Sequence, residues 1–124
     1  METCVSELRR LAHPELIETD IREERFVAHT LQLAIQAALD ASSHIISDLR
    51  LGEPETNRQL FGLLRDELAL SEELSGNLQK MAGFRSLLVH GYQSVDRRIL
   101  RHVVEHNTDD LLAFAQAVRS RLLQ

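Results

Sequence analysis

Apolar residues recur along this chain at alternating spacings of four and three, the pattern of helices that bury one face. The longest such pattern lies between residues 20 and 51. Its positions are Leu31, Ile35, Ala38, Ser42, Ile45 and Leu49, and the apolar face is widened by Phe26, Leu33, Leu39 and Ile46. A long helix that is apolar on more than one side packs against several neighbours, and we expect one of them to come from a second subunit.

Residues that favour helix N-termini indicate where the helices begin. Asp20, followed by a glutamate three residues later and by other acidic residues, starts the long helix. Thr56 with Gln59 forms a capping box for the next helix, and Ser71 is the expected N-cap of the one after it. Thr108 opens the last helix. Its apolar positions are Leu111, Leu112, Ala115, Val118 and Leu122.

The other boundaries complete a helical bundle. Gly52 and Pro54 are expected to stop the long helix at about residue 51. A short first helix is predicted before residue 13 and a fifth helix at Val95–His106, the first with apolar positions Val5, Leu8 and Leu11. No segment shows the alternation of a strand. We therefore predict an all-α bundle of five or six helices, in which residues 1–124 form a single domain.

The composition suits this fold and indicates the compartment in which the protein is expected. A chain of 124 residues that is 44% hydrophobic can build one core. Its single cysteine, Cys4, suits a reducing compartment. No signal-peptide pattern and no membrane-spanning apolar run is visible, so we expect a cytoplasmic protein. The net charge of −5 argues against broad electrostatic capture of nucleic acid.

A charged residue interrupts the apolar face of the fourth helix. Leu74, Leu78 and Met81 lead at helical spacing to Arg85 and then to Leu88. Placing a guanidinium in an apolar face is costly unless its donors are satisfied. We therefore expect Arg85 to line a cleft or to face an anion.

His90, Gly91 and Tyr92 follow Arg85 at the predicted end of this helix. Because His90 lies about 140° around the helix from Arg85, the two side chains converge only near a helix end or across a second chain. Gly91 is the expected helix end, with Tyr92 beyond it. Each residue also has a structural interpretation: Arg85 as a snorkelling side chain, His90 as a partner of the helix dipole, and Tyr92 as an amphipathic plug. Their occurrence within eight residues favours chemistry.

Two other polar patterns have both functional and structural interpretations. Asp40 and His44 lie one turn apart on the long helix, where they could orient one another beside a reaction centre or form a surface pair. His102, Glu105 and His106 match the H-x-x-E-H pattern of one metalloprotease class. Catalytic zinc needs a third protein ligand, and no such pattern accompanies them. We expect neither a metal nor another cofactor.

A basic cluster directly follows the region of Arg85. It consists of Arg97, Arg98, Arg101 and His102. On a helix such a run is usually a solvated face, but here it offers an acidic protein a local site for phosphates. The chain has no glycine-rich phosphate loop, and with aromatic residues at 4% it has no base-stacking platform for sequence-specific readout.

The residues at the end of the fourth helix also form a known motif. Arg85, His90 and Tyr92 give Arg-x-x-x-x-His-x-Tyr, with Phe84 before it. In this motif the chain resembles the HepT-like toxins, a branch of the HEPN domain ribonucleases. The resemblance covers most of the chain from about residue 20, including residues 31–40, 44–46 and 52–56. The family usually has asparagine directly after the motif arginine. This chain has Ser86 there, which keeps a hydroxyl but loses the amide.

The resemblance implies a fold, an activity and a partner. The fold is a HEPN-like helical homodimer, and the activity is that of a metal-independent endoribonuclease toxin with Arg85 and His90 as catalytic residues. The partner is a minimal nucleotidyltransferase antitoxin, which silences the toxin by transferring adenylate to Tyr92. The remaining candidates, which would support the site, are Ser86, Asp40 and His44.

These residue types suit RNA cleavage by the 2′-hydroxyl. Histidine supplies the base and the acid, and arginine stabilises the charge on the phosphate. A two-fold axis beside the motif would bring two copies each of Arg85 and His90 into one cleft. A second hypothesis stays open: a non-catalytic HEPN dimer that binds a nucleotide or only its nucleotidyltransferase partner. The net charge of −5 and Ser86 favour it.

Overall fold

The computed structural model describes residues 1–90 and 96–122, which contain six α-helices and no strand. The helices are α1 (Glu2–Leu11), α2 (Ile21–Leu49), α3 (Asn57–Glu67), α4 (Glu72–His90), α5 (Arg97–His106) and α6 (Thr108–Leu122), with a 3₁₀ turn at Pro14–Leu16. The predicted all-α fold is confirmed. Within the described ranges, no helix is long and apolar enough to cross a membrane.

The long helix α2 is the element on which the others pack, since α1, α3, α4, α5 and α6 all contact it. Its predicted apolar face is buried at Leu31, Ile35, Ala38 and Ser42. The Ser42 hydroxyl donates to the carbonyl oxygen of Ala38 at 2.8 Å, so the core contains this polar group without leaving it unsatisfied. Leu33 points the other way and is 46% exposed.

Two phenylalanines from different helices fill the centre of the core. Phe61 of α3 and Phe114 of α6 are both fully buried, and their rings meet edge to face with centroids 5.5 Å apart. The sequence pattern had not distinguished Phe114. The prediction that α6 buries Leu122 is wrong, because this residue lies in the last turn, beyond the packed part of the helix, and is 71% exposed.

The predicted N-caps are confirmed by their hydrogen bonds. The Asp20 carboxylate accepts from the backbone N–H of Arg22 at 2.9 Å, and this bond lowers the pKa of Asp20. The Thr56 hydroxyl accepts from the Gln59 N–H at 3.2 Å, while the Gln59 side chain accepts from the Glu55 N–H. These caps fix the first residues of α2 and α3.

The end of α2 differs from the prediction. Arg50, not Gly52, ends the helix, because Arg50 has a left-handed backbone with φ of 53°. The next N–H, from Leu51, then turns back to the carbonyl oxygen of Ile46 at 3.0 Å. Gly52 has a positive φ of 138° within the following loop. The helix therefore stops two residues earlier than a glycine stop would place it.

An ion pair between a buried carboxylate and a half-exposed arginine joins the first turn of α2 to the first turn of α5. Glu24 is only 7% exposed, and its Oε2 lies 3.0 Å from the Nε of Arg97. Arg97 also donates to the backbone carbonyl of Glu18 at 3.4 Å. The pair spans 73 residues of sequence, so it fixes where α5 starts relative to the rest of the bundle.

Replacing Glu24 by glutamine is expected to lower the free energy of unfolding by about 1–2 kcal/mol. The amide keeps the size of the side chain but loses the charge that faces Arg97, which is itself about half exposed. Urea denaturation measures the change. Glu2→Gln is the matched control, since the Glu2–Arg119 pair is about half exposed on both sides and should contribute less. Equal losses in the two variants would contradict a structural role for the Glu24–Arg97 pair.

Candidate functional site

Helix α4 begins at the predicted N-cap. The Ser71 hydroxyl accepts a hydrogen bond from the Leu74 N–H at 3.0 Å. Glu72 and Glu73 occupy the first turn, where their negative charges interact favourably with the helix dipole and stabilise the helix. The residues that α4 buries are Ser75, Leu78, Met81, Ala82, Phe84 and Leu88. The predicted apolar face, from Leu74 to Leu88, is therefore the face that packs into the bundle.

Arg85 lies on this packed face, near the C-terminal end of α4. Its side chain is partly buried, and among the described residues its Nε is buried without a hydrogen-bond partner. A buried donor without an acceptor is destabilising, and in proteins such groups often mark functional positions. No carboxylate of the described residues forms an ion pair with Arg85, so none of them neutralises its charge.

His90 is the last residue of α4 and is exposed. At 3.6 residues per turn it lies about 140° from Arg85, on the solvent side of the helix. The two side chains are about 1.4 turns apart and point in different directions within one chain. Ser86, between them in sequence, is exposed as well. Tyr92 and Gly91 lie outside the described residues.

Asp40 and His44 are both exposed on α2. Each follows a buried residue of the core face by two positions, and therefore lies about 160° around the helix from it. The Asp40 carboxylate accepts a hydrogen bond from the Gln36 side chain at 2.7 Å. Among the described residues, no hydrogen bond joins Asp40 to His44. Both residues therefore lie on the exposed side of α2, away from its buried face.

The basic cluster of α5 is engaged by acidic neighbours. Arg97 pairs with Glu24, Arg98 with Asp96 at 3.4 Å, and Arg101 with Glu105 at 2.7 Å. The hydrogen bond to Glu105 raises the pKa of Arg101. Asp96 is the N-cap of α5, and the hydrogen bond that its carboxylate accepts from the Arg98 N–H lowers the pKa of Asp96. These ion pairs offset the positive charge of the cluster, which the sequence predicts to be a local binding site for phosphates.

The H-x-x-E-H pattern places two histidine rings side by side on α5. The rings of His102 and His106 have centroids 4.7 Å apart, and Glu105 is held by Arg101. Over residues 1–90 and 96–122, no three His, Cys, Asp or Glu side chains are grouped in a way that could hold a metal ion.

A groove between α4 and α5 was not predicted from the sequence. It has a volume of about 430 Å³, and its floor and rim include Phe84, Leu87 and Ile99. Leu87 and Ile99 are 50% and 52% exposed, which is unusual for large apolar side chains that lie so close together. The sequence signal for it was weak: Leu87 lies off the apolar face of α4, where a polar residue is expected.

These features define a class of protein: an all-α bundle of the HEPN type that carries a partly buried arginine and an exposed histidine at the end of one helix. The chain belongs to the HepT-like family, since the family model described as "Ribonuclease HepT-like" matches residues 1–118. A relative from Shewanella oneidensis, the mRNA nuclease HepT, is 29% identical over 121 residues, which is 97% of this chain and 91% of the relative.

Solved structures agree with this assignment. A toxin–antitoxin crystal structure with AMP-PNP superposes with a TM-score of 0.88 at 28% identity, over 96% of this chain and 91% of the matched chain. A tri-AMPylated HEPN toxin of Shewanella oneidensis in complex with its MNT antitoxin gives a TM-score of 0.86 at 29% identity, over 96% of this chain and 90% of that one.

Proposed function

We propose that this chain is the toxin of a toxin–antitoxin pair and acts as a metal-independent endoribonuclease. Arg85 and His90 are its catalytic residues, in a cleft between two copies of a single-domain chain. Membership of the HepT-like family supports this proposal, as do the relative named an mRNA nuclease and the likeness to toxins solved with an antitoxin. Ser86 is assigned a supporting contact to phosphate through its hydroxyl.

One observation carries the proposal: Arg85 is held on the packed face of α4 with a buried Nε that has no acceptor among the described residues. A structural arginine at such a position would be expected to pair with a carboxylate or a backbone carbonyl. A catalytic arginine instead needs an unengaged guanidinium, because its donors are used by the phosphate in the transition state.

The proposed reaction is a transfer of the phosphate within the RNA strand. A histidine accepts the proton of the 2′-hydroxyl, the 2′-oxygen attacks phosphorus, and the bond to the 5′-oxygen breaks. That oxygen leaves with a proton from an acid, and a 2′,3′-cyclic phosphate remains. Histidine suits both proton transfers, since it ordinarily exchanges protons near neutral pH. Arg85 would stabilise the negative charge on the phosphate oxygens.

The directions of these side chains support a homodimer. Within one chain Arg85 faces the bundle and His90 faces solvent, so one copy alone does not direct both at one phosphate. Two copies related by a two-fold axis beside the end of α4 would contribute two arginines and two histidines to a shared cleft. In such a cleft Asp40 and His44, which are exposed on α2, would be available as supporting residues from either copy.

The proposed regulation is adenylylation of Tyr92 by a minimal nucleotidyltransferase antitoxin. The solved toxin that is tri-AMPylated and bound to an MNT antitoxin supports it. Tyr92 is the sole tyrosine of the chain and lies two residues beyond His90. Adenylates would place negative charge and bulk where the RNA phosphate has to bind.

The function is tested by incubating the purified protein with RNA transcripts in excess EDTA. Wild type is expected to cleave the RNA. Arg85→Lys is expected to cleave it at least about tenfold more slowly, because lysine keeps the positive charge but cannot form two parallel hydrogen bonds to the phosphate. Arg10→Lys, at an exposed position of α1, is the matched control. No cleavage by wild type would refute the nuclease assignment. Equal rates for Arg85→Lys and wild type would show that a point charge suffices.

The second candidate is a non-catalytic dimer that binds a nucleotide or its transferase partner. A specific observation favours it: Arg97, Arg98 and Arg101 are all held by carboxylates, so the region after the motif offers little free charge to an RNA strand. Under this hypothesis no cleavage occurs in the assay above, whereas transfer of adenylate to the chain can still be measured.

A further inference from the structure

Two histidines of α5 form a contact that the proposed reaction does not use. His102 and His106 lie one turn apart, with ring centroids 4.7 Å apart and an angle of 45° between the ring planes. Both residues are exposed, so a dissolved ion can reach the rings. Of the six histidines in the sequence, only these two stand four residues apart, the spacing that places two side chains on one face of a helix.

The separation of the two rings suits two ligands of one metal ion. A zinc–imidazole bond is about 2.0–2.1 Å long, which puts the ring centre about 3.2 Å from the ion. Two imidazoles that meet at a right angle or at the tetrahedral angle then have centres about 4.5–5.2 Å apart. The observed 4.7 Å lies within this interval, so α5 holds the rings at the separation that chelation needs. Zinc proteases of the H-x-x-E-H class use the same spacing for two of their ligands.

The ring nitrogens of the pair are not engaged by other described residues. Neither ring takes part in a hydrogen bond over residues 1–90 and 96–122, and the Nε2 of His106 lies 3.9 Å from the Oε2 of Glu105, beyond hydrogen-bond distance. The other oxygen of Glu105 accepts from the Nε of Arg101 at 2.7 Å, which orients the carboxylate beside the pair. A neutral imidazole has one nitrogen without a proton, and the lone pair of that nitrogen is what a transition metal binds.

The end of α5 presents negative charge to a cation. His106 is the last residue of the helix, where the helix dipole is negative and attracts positive charge. Glu105 adds a carboxylate next to the pair, and the whole chain has a net charge of −5. Two cations oppose this: Arg101, which is neutralised by its pair with Glu105, and Lys80, which lines the α4–α5 groove together with His102. Lys80 is therefore the opposing charge that an incoming ion meets.

We propose that His102 and His106 bind one divalent transition-metal ion at the surface of α5, with water in the other coordination positions. Imidazole nitrogen is a ligand for Zn²⁺, Cu²⁺ and Ni²⁺, whereas Mg²⁺ and Ca²⁺ prefer oxygen. The site is not catalytic, because catalytic zinc takes three protein ligands, and Arg85 and His90 belong to another helix. The ion instead links residues one turn apart at the end of α5, and its binding free energy stabilises the folded chain.

The experiment titrates the purified, untagged protein with zinc chloride by isothermal titration calorimetry, after EDTA has been used and then removed by dialysis. Wild type is expected to bind zinc, and to do so equally in excess magnesium chloride. His102→Ala and His106→Ala are each expected to weaken binding at least about hundredfold, since even a group that only orients a metal-bound histidine contributes about tenfold to hundredfold. His29→Ala, which removes an exposed histidine of α2, is the matched control. Circular dichroism should give the same helix content for every variant.

Each outcome of the titration decides the proposal. Loss of zinc binding in both α5 variants, with binding kept by His29→Ala, supports it. No binding by wild type overturns it, and so does a loss in only one of the two α5 variants, since a chelate needs both rings. Unchanged binding in both, or an equal loss in His29→Ala, would place the ion at other ligands and also overturns it. RNA cleavage is assayed in excess EDTA, so none of these results bears on the nuclease assignment.

Discussion

Replacing His90 by alanine is expected to abolish RNA cleavage and, on expression in cells, growth inhibition. A histidine that acts as general acid or base contributes about a hundredfold to ten-thousandfold to a rate, so residual cleavage should fall below one hundredth of wild type. The fold should persist, because His90 is exposed at the end of α4, where a charged histidine adds at most about 2 kcal/mol through the helix dipole.

The comparison needs a variant that removes a histidine elsewhere. His13→Ala serves, since His13 is exposed beside the 3₁₀ turn that follows α1 and is remote in sequence from the motif. Circular dichroism should give the same helix content for both variants. A folded His90→Ala protein that retains full toxicity would remove His90 from the mechanism and leave Arg85 without a proton-transfer partner.

Replacing Tyr92 by phenylalanine is expected to free the toxin from its antitoxin. Phenylalanine keeps the ring but has no hydroxyl to accept an adenylate, and if that hydroxyl is not catalytic the variant should cut RNA at a rate near that of wild type. With a nucleotidyltransferase antitoxin and ATP, intact mass should show additions of about 330 Da per adenylate on wild type and none on Tyr92→Phe. Cleavage by wild type should then stop, and cleavage by the variant should continue.

Two other results would change the assignment of Tyr92. The same mass gain on Tyr92→Phe would place the acceptor on another side chain, with Ser86 and Ser94 the next hydroxyls to replace. Silencing of both proteins without any mass gain would mean that the antitoxin blocks the cleft by binding to it. Because Tyr92 is the only tyrosine, no second phenol confuses the measurement.

Features that depend on neighbouring residues could be predicted from the sequence. The N-caps Asp20, Thr56 and Ser71 each accept a hydrogen bond from a backbone N–H two or three residues away. Four consecutive residues are therefore enough to predict each cap. The apolar face of α4 is similarly local, and it placed Arg85 on the packed side of the helix. The unsatisfied Nε of Arg85 required the structure, since it depends on what the other helices bring near it.

Features that join distant parts of the chain could not be predicted. Nothing near Glu24 in sequence indicates that a buried carboxylate will face Arg97, and without that pair the basic run of α5 looks like a free charged surface. The α4–α5 groove is set by how two helices approach each other, which hydrophobic periodicity does not determine. The Arg50 helix stop was missed for another reason: an arginine rarely adopts a left-handed backbone, and glycine two residues later is the commoner choice.

The ion pairs of α5 also affect how quickly the protein can find a polyanion. Free surface charge accelerates encounter by attracting a ligand that comes within about one Debye length, which is about 8 Å at physiological ionic strength. Here Arg97, Arg98 and Arg101 are neutralised at contact distance by carboxylates, and the whole chain is negative. An RNA strand is therefore met without attractive steering. Because the strand and the whole chain are both negative, added salt screens their repulsion and should not slow association. For such a protein, the local concentration of a strand determines how often the two meet more than long-range attraction does.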